Sequence, residues 1–250
     1  MPQLNRDIFV RVVLLLGFII LLFSIITTSQ LTLYVHPRVT SLIKISGYIL
    51  FMMFLRQCWN LKKAWNQSVC GSHSHRTYWK YSPFVLTLLI AFILPNSSLN
   101  ASLVNNKGLN SQISNEVSNR EYRPLANELR QTNFIKVSDQ NFLGVMSEIN
   151  RYPKDYAGKE IEMKGFIFKG SSTSPNRFSL VRYVIGCCVA DASPYGLLCE
   201  IKDAANYTDG NWYQIQGIIE TNEYQGKEFP IIKITWVKQI DALFSPYVFP

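Results

Sequence analysis

The residues with the clearest chemical potential lie in the segment RYVIGCCVADASPYG, which runs from position 182 to position 196. Cys187 and Cys188 are adjacent, and Asp191 follows three positions later. Thiolates bind soft or borderline metal ions such as zinc and copper, and a carboxylate can add a harder ligand. The segment is therefore a candidate metal site, with Cys187, Cys188 and Asp191 as ligands and zinc or copper as the metal.

Two other states of these cysteines also fit the sequence. In an oxidising compartment a disulfide could join Cys188 to Cys199, or it could join the adjacent pair. Because SPYG is typical of a turn, Cys199 is expected roughly opposite Ala190 in the next strand, on the face that Cys188 shares. Alternatively, both adjacent cysteines are small apolar residues buried in a strand. In a regular strand Cys187 and Cys188 would point to opposite faces, which disfavours their binding one ion together.

A second group of metal-binding residue types lies in the segment CGSHSHRTYWK. His73 and His75 are the candidate ligands there, with Cys70 and Cys58 upstream. Their spacing matches no standard zinc finger. A solvated loop with two unrelated histidines is the alternative interpretation of this segment.

The sequence contains no recognisable catalytic grouping. The three histidines, His36, His73 and His75, all precede the second half of the chain, so a Cys/His nucleophile pair is excluded there. There is also no glycine-rich phosphate loop and no Ser/His/Asp set. We therefore predict a protein that is not an enzyme.

The elements that position these residues begin with a membrane domain, predicted over residues 1–97. Residues 12–35 carry no charge and exceed the roughly 20 residues that a helix needs to cross a bilayer. Two weaker apolar stretches follow, and the lipid bilayer is a predicted partner of all three. The predicted transmembrane helices cover about 12–33, 41–58 and 79–95, although the third is short enough to be an interfacial segment.

The distribution of charge predicts the orientation of this membrane domain. Residues 1–97 contain nine Lys or Arg and one acidic residue, whereas residues 98–250 contain 16 of each sign. By the positive-inside rule, the N-terminus and the loop between the second and third spans are cytoplasmic. Three spans then place the remainder of the chain outside the cytoplasm. Because the second half has no net charge, the basic excess reflects membrane topology, and no nucleic-acid partner is predicted.

The second half of the chain predicts an all-β domain. Residues 98–135 are rich in Asn and Ser and predict a flexible tether. Residues 137–153 show helical spacing of apolar residues, which predicts a short helix before the strands. Five strands in about 80 residues are typical of an OB-like five-stranded barrel, here an extracytoplasmic domain over 136–250. The strand-like runs cover 159–170, 177–192, 196–202, 211–220 and 229–240.

Several segments together resemble the YcgQ-like family, whose members are described as subunits of a two-component bacterial membrane permease. These segments are YVHPR, YAGKEIEMKGFIF, RYVIGCCVADASPYGLL, NWYQIQG and SPYVFP. The resemblance implies an accessory subunit beside a separate multi-span permease subunit in the same membrane. Cys199 stands where the family usually has an apolar residue, which argues against its disulfide as a general feature. The functional motif that the resemblance implies consists of Arg182, Cys187, Cys188, Ala190 and Asp191.

We therefore predict a non-enzymatic accessory subunit of a permease in the cell membrane, with a cytoplasmic N-terminus. Its extracytoplasmic barrel would serve substrate capture, gating or partner docking. One alternative is a cell-envelope interaction protein with no role in transport. Another is a metal-binding or redox module that uses Cys187 and Cys188.

Overall fold

The chain divides into two compact units, Met1–Ser97 and Ser98–Pro250, and each unit is described by itself. The structure is a computed structural model. It describes residues 6–28, 30–66, 77–93, 99, 104, 109, 123, 125–170, 174–224, 226–243 and 245–250.

The α-helices described in the first unit are α1 (Arg6–Thr27), α2 (Thr40–Asn66) and α3 (Thr77–Ile93). Within the described residues, the segments Ile8–Thr27 and Pro37–Lys63 are long and apolar enough to cross a membrane. A 20-residue helix extends about 30 Å, which matches the hydrocarbon thickness of a bilayer. These two segments indicate membrane association. The span predicted at 79–95 coincides with α3, whose 17 residues extend only about 25 Å.

A compact turn connects α1 to α2 within the segment YVHPR. His36 is buried, and its ring Nδ1 accepts the backbone N–H of Arg38 at 3.0 Å. Pro37 occupies the first position of a short 3-10 helix, where its missing N–H costs no hydrogen bond. The hydroxyl of Thr40 then donates to the Pro37 carbonyl at 2.7 Å as α2 begins. His36 therefore serves here as a capping residue.

Within its described residues, the second unit contains three short α-helices and seven strands. The helices are α4 (Ala126–Gln131), α5 (Phe142–Arg151) and α6 (Pro153–Tyr156). The strands are β1 (Phe134–Lys136), β2 (Glu160–Phe168), β3 (Arg177–Val184), β4 (Ser193–Glu200), β5 (Trp212–Tyr224), β6 (Lys227–Gln239) and β7 (Tyr247–Val248).

All seven strands belong to one large mixed sheet. Their order is β1-β2-β5-β6-β4-β3-β7, and β2 also pairs with β3. The pairings of β2, β5, β6, β4 and β3 therefore form a closed circuit. In that circuit the β4–β6 pair is parallel and the other pairs are antiparallel. The five predicted strand regions correspond to β2–β6, whereas β1 and β7 join the sheet as short parallel additions.

The core of this unit lies between α5 and the sheet. The apolar positions of α5 share one helical face, and Val145, Met146 and Ile149 are completely buried. On β2, Ile161 and Met163 alternate with more exposed residues, as expected for a half-buried strand. All five belong to one apolar cluster. Burial of each such side chain stabilises the fold by about 1.5–3 kcal/mol.

Two glycines permit close approach between neighbouring strands. An added Cβ at Gly165 on β2 would lie 2.7 Å from the carbonyl oxygen of Val181 on β3. At Gly217 on β5, the same atom would lie 2.4 Å from the carbonyl oxygen of Lys233 on β6. Gly217 also adjoins a register shift in the β5–β6 ladder. These positions therefore allow the strong strand curvature that the closed set of pairings requires.

The predicted second strand is too long, and the predicted turn that follows it is wrong. β3 ends at Val184, and the chain reverses over residues 185–192. SPYG is the start of β4 and pairs with the end of β3. Cys199 consequently lies opposite Phe178 and not opposite Ala190.

The domain also begins earlier in the chain than residue 136. α4 and the first two residues of β1 fall inside the predicted tether at 98–135. Leu129 and Ile135 are buried in the core, so these elements are part of the packed domain. In addition, the backbone N–H of Leu99 donates to the hydroxyl of Tyr247 at 3.0 Å. Most other residues of the predicted tether lie outside the described residues.

Candidate functional site

The adjacent cysteines lie in the connection between β3 and β4, which we define as the cysteine loop, residues 185–192. The loop contains one short 3-10 turn, Val189–Asp191, in which the N–H of Asp191 donates to the carbonyl of Cys188 at 3.0 Å. Cys187 and Cys188 are therefore outside the regular part of either strand. The alternation of side chains along a strand does not separate them, contrary to the expectation from the sequence.

The side chain of Asp191 fixes the shape of the cysteine loop. One carboxylate oxygen accepts the backbone N–H of Gly186 at 3.1 Å. The other accepts the N–H of Cys187 at 2.6 Å and lies 3.5 Å from the N–H of Cys188. Backbone N–H groups need an acceptor, and in a strand these groups would donate to a neighbouring strand. Here the Asp191 carboxylate accepts them instead. Gly186 also permits the approach, since an added Cβ would lie 3.3 Å from the carboxylate.

The loop brings three metal-binding atoms together. The two thiol sulfurs of Cys187 and Cys188 are 3.7 Å apart. Together with a carboxylate oxygen of Asp191, they lie within 4.8 Å of one another. Cys187 is exposed and Cys188 is half-buried. In the part of the chain that the structure describes, no other set of three His, Cys, Asp or Glu side chains converges in this way.

The same arrangement shifts the ionisation of both partners. Burial alone would raise the pKa of Asp191. Hydrogen bonds from the Cys187 thiol and from the N–H groups of Cys187, Gly186 and Cys188 have the larger combined effect, so the pKa of Asp191 lies below its usual value. The hydrogen bond to Asp191, the neighbouring Cys188 thiol and the nearby negative charge raise the pKa of Cys187 to about 11. At neutral pH the loop therefore holds a protonated thiol beside a carboxylate.

Cys199 has a different environment from the adjacent pair. Its side chain is fully buried in the core, and its thiol donates to the carbonyl of Leu197 at 3.6 Å. Burial raises the pKa of this thiol to about 12. Cys188 and Cys199 are both free thiols, so the structure does not join the predicted disulfide pair. The position of Cys199 opposite Phe178 places it among core residues of the β3–β4 ladder.

Arg182 contacts a part of the domain separate from the two thiols. Its guanidinium group is buried, pairs with Asp139, and donates to the carbonyls of Ser245 at 3.1 Å and Tyr247 at 3.4 Å. It therefore holds β7 against β3. The carbonyl of Val248 on β7 accepts the N–H of Ile185, the first residue of the cysteine loop, at 3.0 Å. Arg182 therefore supports the start of the loop indirectly, through β7.

The second predicted metal group is only partly described. Cys58 lies on α2 as a half-buried free thiol. Cys70, His73 and His75 lie outside the described residues.

A charged network in the second unit was not predicted from the sequence. Glu148 is buried on α5 and accepts hydrogen bonds from Arg123 at 2.9 Å and from the hydroxyl of Tyr156 at 2.7 Å. Arg123 also pairs with Asp155 at 2.7 Å, and Arg130 pairs with the same carboxylate. Burial and the bond to Glu148 raise the pKa of Tyr156 to about 12. The sequence signal was weak, because Arg123 lies in a polar segment without periodicity.

The first unit contains a cavity of about 580 Å³ between α1, α2 and α3. Apolar side chains such as Phe18 and Met53 form most of its wall. Arg11, Arg56 and Tyr81 also line it, and the Arg11 Nε–H donates to the Tyr81 hydroxyl at 2.8 Å. Each of the three helices therefore contributes polar side chains to the wall.

Comparison with known protein families gives two adjoining matches. Residues 112–250, more than half of the chain, match the DUF1980 C-terminal domain. The chain belongs to the DUF1980 family. Residues 10–110 match the DUF1980 N-terminal domain, so the two family domains account for most of the sequence.

Two relatives of this DUF1980 protein carry informative descriptions. It is 24% identical over 282 residues to UPF0703 protein YcgQ of Bacillus subtilis (strain 168), covering 96% of this chain and 98% of that protein. It is 27% identical over 132 residues to a Streptococcus mutans protein described as "Putative two-component membrane permease complex subunit". That match covers 52% of this chain and 48% of the relative. The family predicted from the sequence segments is thereby confirmed.

Proposed function

We propose that the protein is a non-enzymatic accessory subunit of a two-component membrane permease complex. The observation that carries this proposal is the match to a relative described as a subunit of such a complex, together with the two apolar helical segments of the first unit. The partner is a separate multi-span subunit in the same membrane. Helices α1–α3 would contact that subunit and the lipid bilayer.

The composition of α1 supports assigning the transport pathway to the partner. The apolar segment Ile8–Thr27 contains only one charged residue, Arg11, close to its start. Transporter pathways generally use ionisable residues or broken helices near the middle of the bilayer. An accessory subunit has no need of either feature.

The distribution of charge supports a multi-pass topology with the N-terminus in the cytoplasm. Lys and Arg are concentrated at the start of α1 and from the second half of α2 to the start of α3, as the positive-inside rule expects for segments at or near the cytoplasmic side. In this topology α3 crosses the bilayer as the third span. The second unit then lies outside the cytoplasm, where it can capture substrate, gate the pathway or dock the partner.

We further propose that the second unit is an OB-like barrel of five strands. Support comes from the closed circuit of pairings through β2, β3, β4, β6 and β5, and from the parallel pair β4–β6. The bulge at Gly217 provides the kind of bend that barrel closure uses. Such barrels commonly bind ligands or partners without catalysing a reaction.

The ionisation of Cys187 supports the absence of catalysis. The thiolate is the reactive form of cysteine, and a pKa raised to about 11 keeps this exposed thiol protonated at neutral pH. No histidine follows position 75 in the sequence, so the second unit has no imidazole to activate the thiol.

Co-purification tests the proposed complex. The tagged chain, solubilised in mild detergent from the membranes of its own cells, is expected to bring down one multi-span protein at constant stoichiometry. A tagged membrane protein of the same size and helix number is the control and should not retain that protein. Purification of the chain alone, with binding of its second unit to cell-wall fragments, would instead establish the cell-envelope interaction protein.

A further inference from the structure

The cysteine loop has the exposure expected of a binding site. Cys187 is exposed and Cys188 is half-buried, whereas Cys199 of the same domain is fully buried among apolar residues. A cysteine that serves only to fill the core has the environment of Cys199. The adjacent pair therefore contributes little to the apolar core and is available to a ligand from solvent.

The separation of the sulfur atoms fits a tetrahedral metal centre. With Zn–S bonds of about 2.3 Å, two thiolates of a tetrahedral site lie about 3.8 Å apart. The observed distance between the sulfurs of Cys187 and Cys188 is 3.7 Å. A carboxylate oxygen of Asp191 completes a set whose members all lie within 4.8 Å of one another.

The loop is also held in place before any ligand binds. Asp191 is fixed by the N–H groups of Gly186 and Cys187. The two ends of the loop are joined by the pairing of Val184 with Ser193, and β7 pairs with Val184 from the other side. Ligands in a loop whose two ends are joined by strand pairing lose little conformational entropy on binding.

We propose that Cys187, Cys188 and Asp191 bind one divalent cation of the zinc type. On binding, each thiol releases its proton to solvent and becomes a thiolate ligand, and one Asp191 oxygen supplies the third bond. Sulfur ligands favour zinc over magnesium and calcium, which prefer oxygen. Three protein ligands leave the fourth tetrahedral position open, as in sites that exchange ligands and unlike closed structural sites. The proposal does not depend on the permease role, because the ligands all belong to this loop.

Metal titration of the complete chain tests this proposal. The reduced chain in detergent is stripped with a chelator and then titrated with Zn²⁺, and separately with Cd²⁺ as a spectroscopic probe. We expect one Zn²⁺ and one Cd²⁺ per chain, and Cd²⁺ should produce ultraviolet sulfur-to-metal charge-transfer absorption. Both signals should disappear in Cys187→Ser/Cys188→Ser. Asp191→Asn should weaken Zn²⁺ binding by about tenfold or more, since it removes a charged ligand.

The matched control is Cys58→Ser/Cys70→Ser, which removes the same number of thiols from the first half of the chain and should retain the Cd²⁺ absorption. The single variant Cys187→Ser changes an exposed position and keeps the test valid if the double variant does not fold. Full retention of the Cd²⁺ signal in folded Cys187→Ser would overturn the proposal. So would the absence of that signal in the reduced wild-type chain, or its loss only in the control variant.

Discussion

At the scale of single residues, the motif predicted from the sequence separates into two roles. Cys187, Cys188 and Asp191 form one group in the cysteine loop. Arg182, which precedes them in the same segment, is buried and binds the C-terminal segment through Ser245. The same segment of sequence therefore contains a group of candidate ligands and a residue that positions the neighbouring strand β7.

The role of Arg182 can be tested by removing its donors. Arg182→Met is expected to destabilise the packing of β7 by about 1–3 kcal/mol, because the carbonyls of Ser245 and Tyr247 each lose a buried charged donor. Limited proteolysis of the detergent-solubilised chain should then show earlier cleavage near the C-terminal segment.

The matched control is Arg177→Met on the same strand. Arg177 pairs with Glu200 in a partly exposed ion pair, so its loss should cost less than about 1 kcal/mol. Equal proteolytic resistance of wild type and Arg182→Met would show that β7 is held by other contacts.

At the scale of elements, strand periodicity predicted β2 well but did not predict the cysteine loop. The alternation of Ile161 and Met163 located β2 within one or two residues of its ends. The run VIGCCVA is apolar enough to resemble a buried strand. β3 ends because the carboxylate of Asp191 accepts backbone N–H groups up to five residues earlier in the chain. The spacing of apolar residues gives no information about such a hydrogen bond.

The helices α4, α5 and α6 are connected by ion pairs, and this network should respond to acid. Arg123 and Arg130 hold the pKa of Asp155 below its usual value. The ionised carboxylate therefore stabilises the folded state above the unfolded pKa of about 3.9, and this contribution is lost as the pH falls through the lower folded pKa. Asp155→Asn is expected to destabilise the helices by about 0.5–1 kcal/mol at pH 6, and by progressively less as the pH falls below the unfolded pKa toward the lower folded pKa.

Hydrogen–deuterium exchange of peptides from residues 126–156, compared between variants at equal pH, measures this difference. Asp203→Asn provides the control, since Asp203 lies in a turn with a left-handed backbone that asparagine also adopts. A difference between Asp155→Asn and wild type that is unchanged between pH 6 and pH 3 would contradict the ion-pair explanation.

At the scale of the whole molecule, an apolar first unit and a mixed β second unit correspond to the two matched family domains. The sequence predicted this division because its two halves have different apolar patterns. An uncharged apolar run is typical of a membrane-spanning helix, whereas alternating apolar residues are typical of a half-buried strand. The order of strands could not be read from composition, since β4–β6 pairing joins residues far apart in the sequence.

The topology of the molecule can be measured with its own exposed thiol. If the second unit lies outside the cytoplasm, a membrane-impermeant maleimide should label Cys187 in intact cells after chelator treatment. The raised pKa of this thiol means that labelling should be faster at pH 8.5 than at pH 7.

Labelling should be lost in Cys187→Ser/Cys188→Ser and retained in Cys58→Ser. If labelling requires permeabilised cells, the second unit is cytoplasmic and α3 does not cross the membrane. The same samples report on both the side of the membrane and the accessibility of the loop.

The pairing of β7 with β3 has a consequence for the order in which the domain can be completed. Val184 lies immediately before the cysteine loop, and its parallel partner Val248 is synthesised long after it. During synthesis, the adjacent thiols therefore emerge before the strand that braces their loop. For that interval the chain presents two unbraced thiols to its surroundings, and the loop reaches its final geometry among the last events of folding.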